Sequence, residues 1–239
     1  MNQLNAAPPS APAPEQDGIV NSLGARLWHK FCYILQAHLF TLGFSLRTEG
    51  GRHVPRSGPV LVVANHQSFL DPVPIGLAFP RRLIYLARKT LFRNPVFSWL
   101  IRSLNAVPID QEGVGKEGIR TILDQLKLGK AVLVFPEGER TLTGRMNPLK
   151  PGVHLLIKKA HAPIIPIGIA GAYDAWPRGG ACPVPAPVFW PAWKGTIAVS
   201  VGAAIDPTRF ANMSREQVLD ELFHAIAEVQ QRAEKLRRQ

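Results

Sequence analysis

Cysteine is nearly absent from this chain. Cys32 and Cys182 are far apart and match no metal-ligating or redox spacing, so a disulfide framework is not indicated and a reducing compartment is the default. Charge is sparse as well. Charged residues make up 19% of the chain against 46% hydrophobic, more apolar than a typical soluble domain, which leaves some apolar surface able to face lipid. Acid is the scarcer sign: 17 Asp and Glu against 28 Lys and Arg give a net charge of +11, so the surface attracts anions. The basic residues are scattered in ones and twos and no nucleic-acid module is present. An anionic membrane surface or a phosphorylated substrate is therefore the expected partner, not nucleic acid.

A charged leader followed by an apolar core is missing too. Residues 1–17, MNQLNAAPPSAPAPEQD, are rich in Ala and Pro and read as a disordered tail, not a signal peptide. Residues 18–47 follow, with helical character from about Ile19 to Leu46. The uncharged stretch from Phe31 to Leu46 falls short of the roughly 20 residues that span a bilayer. Trp28, Phe31, Tyr33, Phe40 and Phe44 suit a headgroup boundary, and Arg26, His29 and Lys30 can reach phosphates, so an interfacial, membrane-associating segment is one reading. A core helix of the domain is the other, because apolar periodicity cannot tell a lipid face from a protein face.

Residues 48–239 alternate apolar strands with helices. PVLVVA, RRLIYLAR, AVPID, KAVLVF, APIIPIGIAG and TIAVSVGAAI read as strands, the last at an edge. Between them, PVPIGLAF is a Pro-started apolar stretch, while NPVFSWLIRSL, GKEGIRTILDQLKLG and GVHLLIKKAH read as helices. Gly129 is the expected C-cap of the third of these four stretches, and a long final helix, Ser214 to Arg238, opens on the capping-box pattern SREQ. The alternation predicts an α/β fold: a single layered domain with a mostly parallel central sheet flanked by helices. The Pro-rich run AWPRGGACPVPAPVFWPAW predicts a loop or edge excursion.

Ligand sites in such sheets lie beyond the carboxyl ends of the strands, and His66 stands two residues past the apolar run of the first strand. A neutral imidazole there can take a proton from a hydroxyl if a carboxylate holds its other nitrogen, and Asp71 is the nearest candidate. A sharp turn at Gln67, Ser68 and Pro72 would let them meet. Alternatively, Ser68 and Asp71 cap a helix and His66 is an exposed loop residue. A second strand end repeats the design. After Phe135 the turn PEGER presents Glu137 and Arg140; the guanidinium fork suits phosphate oxygens, and Gly138 allows close backbone approach. A surface turn with an internal salt bridge is the bland alternative.

Four blocks in order resemble the glycerophospholipid acyltransferases typified by 1-acylglycerol-3-phosphate acyltransferase: NHQSFLD, NAVPIDQ, FPEGER and APIIPIGIAG, over roughly Leu46 to Gly171. The first and third are the specific ones. The resemblance implies acyl transfer from a thioester, on coenzyme A or acyl carrier protein, to a hydroxyl of a lysophospholipid, at the cytoplasmic face of the plasma membrane. His66 would be the general base, Asp71 would orient it, Arg140 would hold the acceptor phosphate, and Glu137 would fix Arg140 or the turn. Since a thioester is already activated, neither a metal nor another cofactor is expected. Three positions depart from the family pattern: Asn105 replaces a glycine, Gln111 an arginine thought to bind phosphate, and Glu139 a threonine. Less positive charge near the acceptor would follow, which Lys89 and Arg88 could offset. A hydrolase using the same His–Asp pair is an alternative, weakened because the chain lacks a Gly-x-Ser-x-Gly elbow. A non-catalytic basic lipid-binding domain is another.

Overall fold

A computed structural model describes residues 23–109, 115–188 and 195–237. Strands β1 (Arg47–Glu49), β2 (Val60–Ala64), β3 (Leu83–Arg88), β4 (Ala106–Ile109), β5 (Ala131–Val134), β6 (Ile164–Ala170) and β7 (Ala198–Val201) form one sheet in the order β1-β7-β6-β2-β5-β3-β4. Every neighbouring pair is parallel except β6 with β7. Strands β2, β5 and β6, apolar in sequence and buried along their whole length, take the middle of the sheet. Pro108, which has no N–H to give a ladder, lies in the edge strand β4.

Helices α1 (Leu23–Phe44), α2 (Pro72–Ala78), α3 (Pro95–Ser103), α4 (Lys116–Lys127), α5 (Gly152–Ala160), α6 (Ala172–Ala175) and α7 (Arg215–Arg237) surround it. The two-residue period of β2 sorts its side chains. Val60, Val62 and Ala64 meet Phe40 of α1 and Ile75 of α2 on one face; Leu61 and Val63 meet Ile122, Leu156 and Ile226 of α4, α5 and α7 on the other. Each large aliphatic side chain so buried contributes about 1.5–3 kcal/mol. Helix α7 packs so tightly on β6 that a Cβ at Gly168 would fall 2.1 Å from the backbone nitrogen of Gln230.

Local signals behave as their chemistry requires. Ser214 N donates to Gln217 Oε1 at 2.8 Å and Gln217 N returns a bond to Ser214 Oγ at 3.3 Å, closing the capping box of α7. Gly129 ends α4 with φ of 72°. Asn105 ends α3 with φ of 67°, a left-handed conformation that asparagine tolerates better than other side chains. That conformation accounts for asparagine standing in the glycine position of the second block.

Two expectations change. Strand β7 is not at the edge: β1, three exposed or half-buried residues with no apolar pattern, pairs outside it, and Ser200 Oγ donates to Glu49 at 2.7 Å. Helix α1 is neither wholly in the core nor wholly outside it. Cys32 and Phe40 are buried, whereas Leu27, Phe31, Leu35, Leu39 and Leu42 are exposed. Trp28 Nε1 donates to Ser103 Oγ at 3.0 Å and its ring lies 5.2 Å from that of Trp99, tilted by 45°, so exposed Val96 and Trp99 of α3 extend the same apolar surface. No described helix is long and apolar enough to cross a membrane. The expected disordered tail, residues 1–17, lies outside the described residues.

Candidate active site

Strand β2 ends at Ala64, and the next residue locks the exit. Asn65 Nδ2 donates to Ile169 O at 2.9 Å and its Oδ1 accepts from Ile169 N at 2.8 Å, so a side chain bonds to β6 as a strand would. The chain then turns sharply. Asp71, fully buried, receives three donors on Oδ2: the Gln67 and Ser68 backbone N–H groups at 2.6 and 2.8 Å, and His66 Nδ1 at 2.8 Å. Asp71 therefore folds the turn and holds the imidazole with one oxygen. It stands at the start of α2 without capping it by its side chain, so the helix-capping alternative does not describe this pair.

A carboxylate on Nδ1 puts the proton there and leaves Nε2 as the nitrogen able to accept one. The ring stacks on Phe135 with centroids 3.9 Å apart and interplanar angle 13°, and its side chain is 14% exposed: held on two sides, yet reachable. Such an imidazole can act as a base toward a hydroxyl brought to the sheet's carboxyl rim.

The second strand end clasps the first. Glu137 is buried and accepts from His66 N at 2.7 Å and from Asn147 N at 2.7 Å, while Thr141 N donates to His66 O at 3.0 Å. Both backbone groups of His66 are thus bonded to the segment from Glu137 to Thr141. Burial pushes the Glu137 carboxyl up to about 7, with the nearby Asp71 charge adding to it, against the two backbone N–H bonds that favour ionisation. The bonds Glu137 makes go to backbone N–H groups on either side of the turn. Gly138 has φ of 75°, which makes the turn possible, and a Cβ there would meet the Lys150 side chain at 2.9 Å. Arg140 lies over the Phe69 ring, with Cζ 3.3 Å from the centroid, just before Thr141 and therefore next to the residue that bonds His66.

His66, Asp71, Glu137, Gly138 and Arg140 come together. Lys89 does not join them by any described contact: its ammonium lies 3.2 Å from Glu117 at the start of α4. Gln111 lies outside the described residues. Glu139 is half-exposed and paired, with Arg178 Nη1 at 3.0 Å and Lys150 Nζ at 3.7 Å, and these cations hold its carboxyl below the usual range. Asn65, Trp176 and Arg178 escaped the sequence reading. Asn65 stood inside a quoted block and carried the signal of an amide at a strand end. The other two sit in the Pro-rich loop, where nothing in the local pattern announces a partner.

Comparison with known proteins bears on this geometry. A sequence model of the family described as Acyltransferase matches residues 45–170. The 1-acyl-sn-glycerol-3-phosphate acyltransferase of Bacillus subtilis is 25% identical over 83% of this chain and 92% of its own length. The Pseudomonas aeruginosa protein of the same name is 29% identical over 86% and 78%. The crystal structure of the 1-acyl-sn-glycerophosphate acyltransferase PlsC from Thermotoga maritima superposes with a TM-score of 0.71 at 26% identity, covering 90% of this chain and 82% of that one.

Proposed function

Because the chain belongs to the acyltransferase family, we propose that it moves a fatty acyl group from an acyl thioester to a lysophospholipid hydroxyl, with 1-acylglycerol-3-phosphate or a close relative as acceptor. The donor is acyl-coenzyme A or acyl carrier protein, and His66 is the general base. The observation that carries this reading is the 2.8 Å contact between His66 Nδ1 and a fully buried Asp71 at the rim of the sheet, with both backbone groups of His66 tied to the segment that carries Arg140.

The acceptor hydroxyl gives its proton to His66 Nε2 as its oxygen attacks the thioester carbonyl carbon. When the carbon–sulfur bond breaks, the thiolate takes that proton from the imidazolium, so the histidine returns to its starting state. Asp71 stabilises the imidazolium between the two transfers. Positioned base catalysis of this kind contributes about 10² to 10⁴ in rate. Arg140, backed by the Phe69 ring, is the cation for the acceptor phosphate. Only a few bonds separate that phosphate from the reacting hydroxyl, which fits an arginine one residue from His66's own hydrogen-bond partner.

The same reading sets the exposed apolar surface of α1 and α3 against a membrane, at the anionic cytoplasmic leaflet. Labelled acyl-coenzyme A and acyl carrier protein, each offered against lysolipids with and without phosphate, tests it. The reading predicts that thiol release depends on added lysolipid and that the acylated lipid accumulates. Free fatty acid formed equally well without acceptor would point to a hydrolase instead.

A further inference from the structure

Resting on that reading, we propose that Arg178, which lies outside the four sequence blocks, is a second cation for the acceptor phosphate, and that Glu139 is the internal anion it releases when the phosphate binds.

Residues 176–180 are fastened to the catalytic turn. Ser68 Oγ donates to Trp176 O at 2.7 Å, and the Phe69 and Trp176 rings stand 5.7 Å apart. Phe69 is also the ring beneath Arg140. From this footing Arg178 Nη1 donates to Glu139 Oε2 at 3.0 Å and to the carbonyl of Arg140 at 3.4 Å, which brings it to the outer end of the Arg140 turn. Lys150 Nζ approaches Glu139 from elsewhere, at 3.7 Å. Arg178 and Lys150 therefore share one carboxylate, two cations to one anion, at the turn that carries Arg140.

The exposure of the cluster decides how it behaves. The Arg178, Glu139 and Lys150 side chains are 39%, 47% and 51% exposed. An ion pair so open to solvent contributes little to folding. It does keep the guanidinium placed and screened until a stronger anion arrives. A phosphate monoester carries about −1.5 to −2 charge at pH 7 and three acceptor oxygens, which outmatches one carboxylate for an arginine fork. The phosphate of a lysolipid bound with its hydroxyl at His66 and its headgroup over Arg140 extends toward Arg178. Glu139 then swings to Lys150 or to water.

Opposite substitutions separate this role from a simple latch. Initial rates are measured for Arg178→Ala and Glu139→Gln with a lysolipid bearing a phosphate and with its phosphate-free glycerol counterpart. For Arg178→Ala, the ratio of kcat/KM between the two acceptors falls about tenfold, mainly through KM for the phosphorylated one. For Glu139→Gln the ratio rises, because the guanidinium is no longer shared. If the pair only latches the loop, both variants lose activity in the same direction on both acceptors, and the proposal fails. An unchanged ratio in Arg178→Ala overturns it as well. A wild-type protein that acylates neither lipid would overturn the acyltransferase reading together with this one, so the two failures are distinguishable.

Discussion

At the scale of single residues, Asp71 matters through the number of bonds it makes. One of its oxygens receives two backbone N–H groups and the imidazole, so ring position and turn geometry are fixed by the same atom. Asp71→Asn keeps the volume and loses the charge that holds the proton on Nδ1. It should lower kcat about 10²- to 10⁴-fold with KM little changed, while circular dichroism shows a folded chain. Glu137 makes a prediction in pH. Its folded pKa of about 7 lies above the ordinary value of 4.5, so the folded chain binds the extra proton. Its contribution to stability is full below about pH 4.5 and is lost as pH rises through 7. Urea unfolding should show wild type losing up to about 3 kcal/mol relative to Glu137→Gln between those limits. A constant difference across that window would contradict the assignment. The His66–Asp71 pair was legible in the sequence because both ends lie in one short turn. Arg178 was not, because the residue it meets is 38 positions away and its own segment is a Pro-rich loop.

At the scale of elements, the strands that read most plainly are those whose apolar runs are unbroken. Strand β2, buried on both faces, could be nothing but central, and its carboxyl end had to be the site's rim. Strand β1 carries Arg47, Thr48 and Glu49, and only pairing with β7 makes it a strand; no local pattern encodes that. Helix α7 lies somewhere between. Its apolar stripe was visible, yet the close approach to β6 depends on Gly168, whose missing side chain is the space the helix backbone fills. Gly168→Ala forces backbone to move, and overpacking of this sort costs about 1–3 kcal/mol. Thermal melts should show a clear drop in Tm; a variant as stable as wild type would mean that α7 packs less closely than described.

At the scale of the whole molecule, apolar surface and charge act together. The exposed leucines, phenylalanine and tryptophan of α1 and α3 gather on one surface, while the +11 charge is distributed over the chain. Binding to vesicles should therefore need both. Phosphatidylglycerol vesicles should bind the protein more tightly than neutral ones, and added salt should weaken the difference. Leu27→Ser combined with Trp99→Ser should lower the affinity roughly tenfold or more, from lost apolar contact alone. Sequence could supply this surface only as an ambiguity, since a helix with Phe40 in the core and Phe31 in the open has one apolar pattern and two environments. What unites the scales is the rim where β2 and β5 end, and His66→Ala tests it most directly. With labelled acyl-coenzyme A and 1-acylglycerol-3-phosphate at pH 7, the variant should lose at least about 10² in kcat while still binding the lysolipid. Acylation at the wild-type rate by His66→Ala would contradict the assignment of His66 as the base.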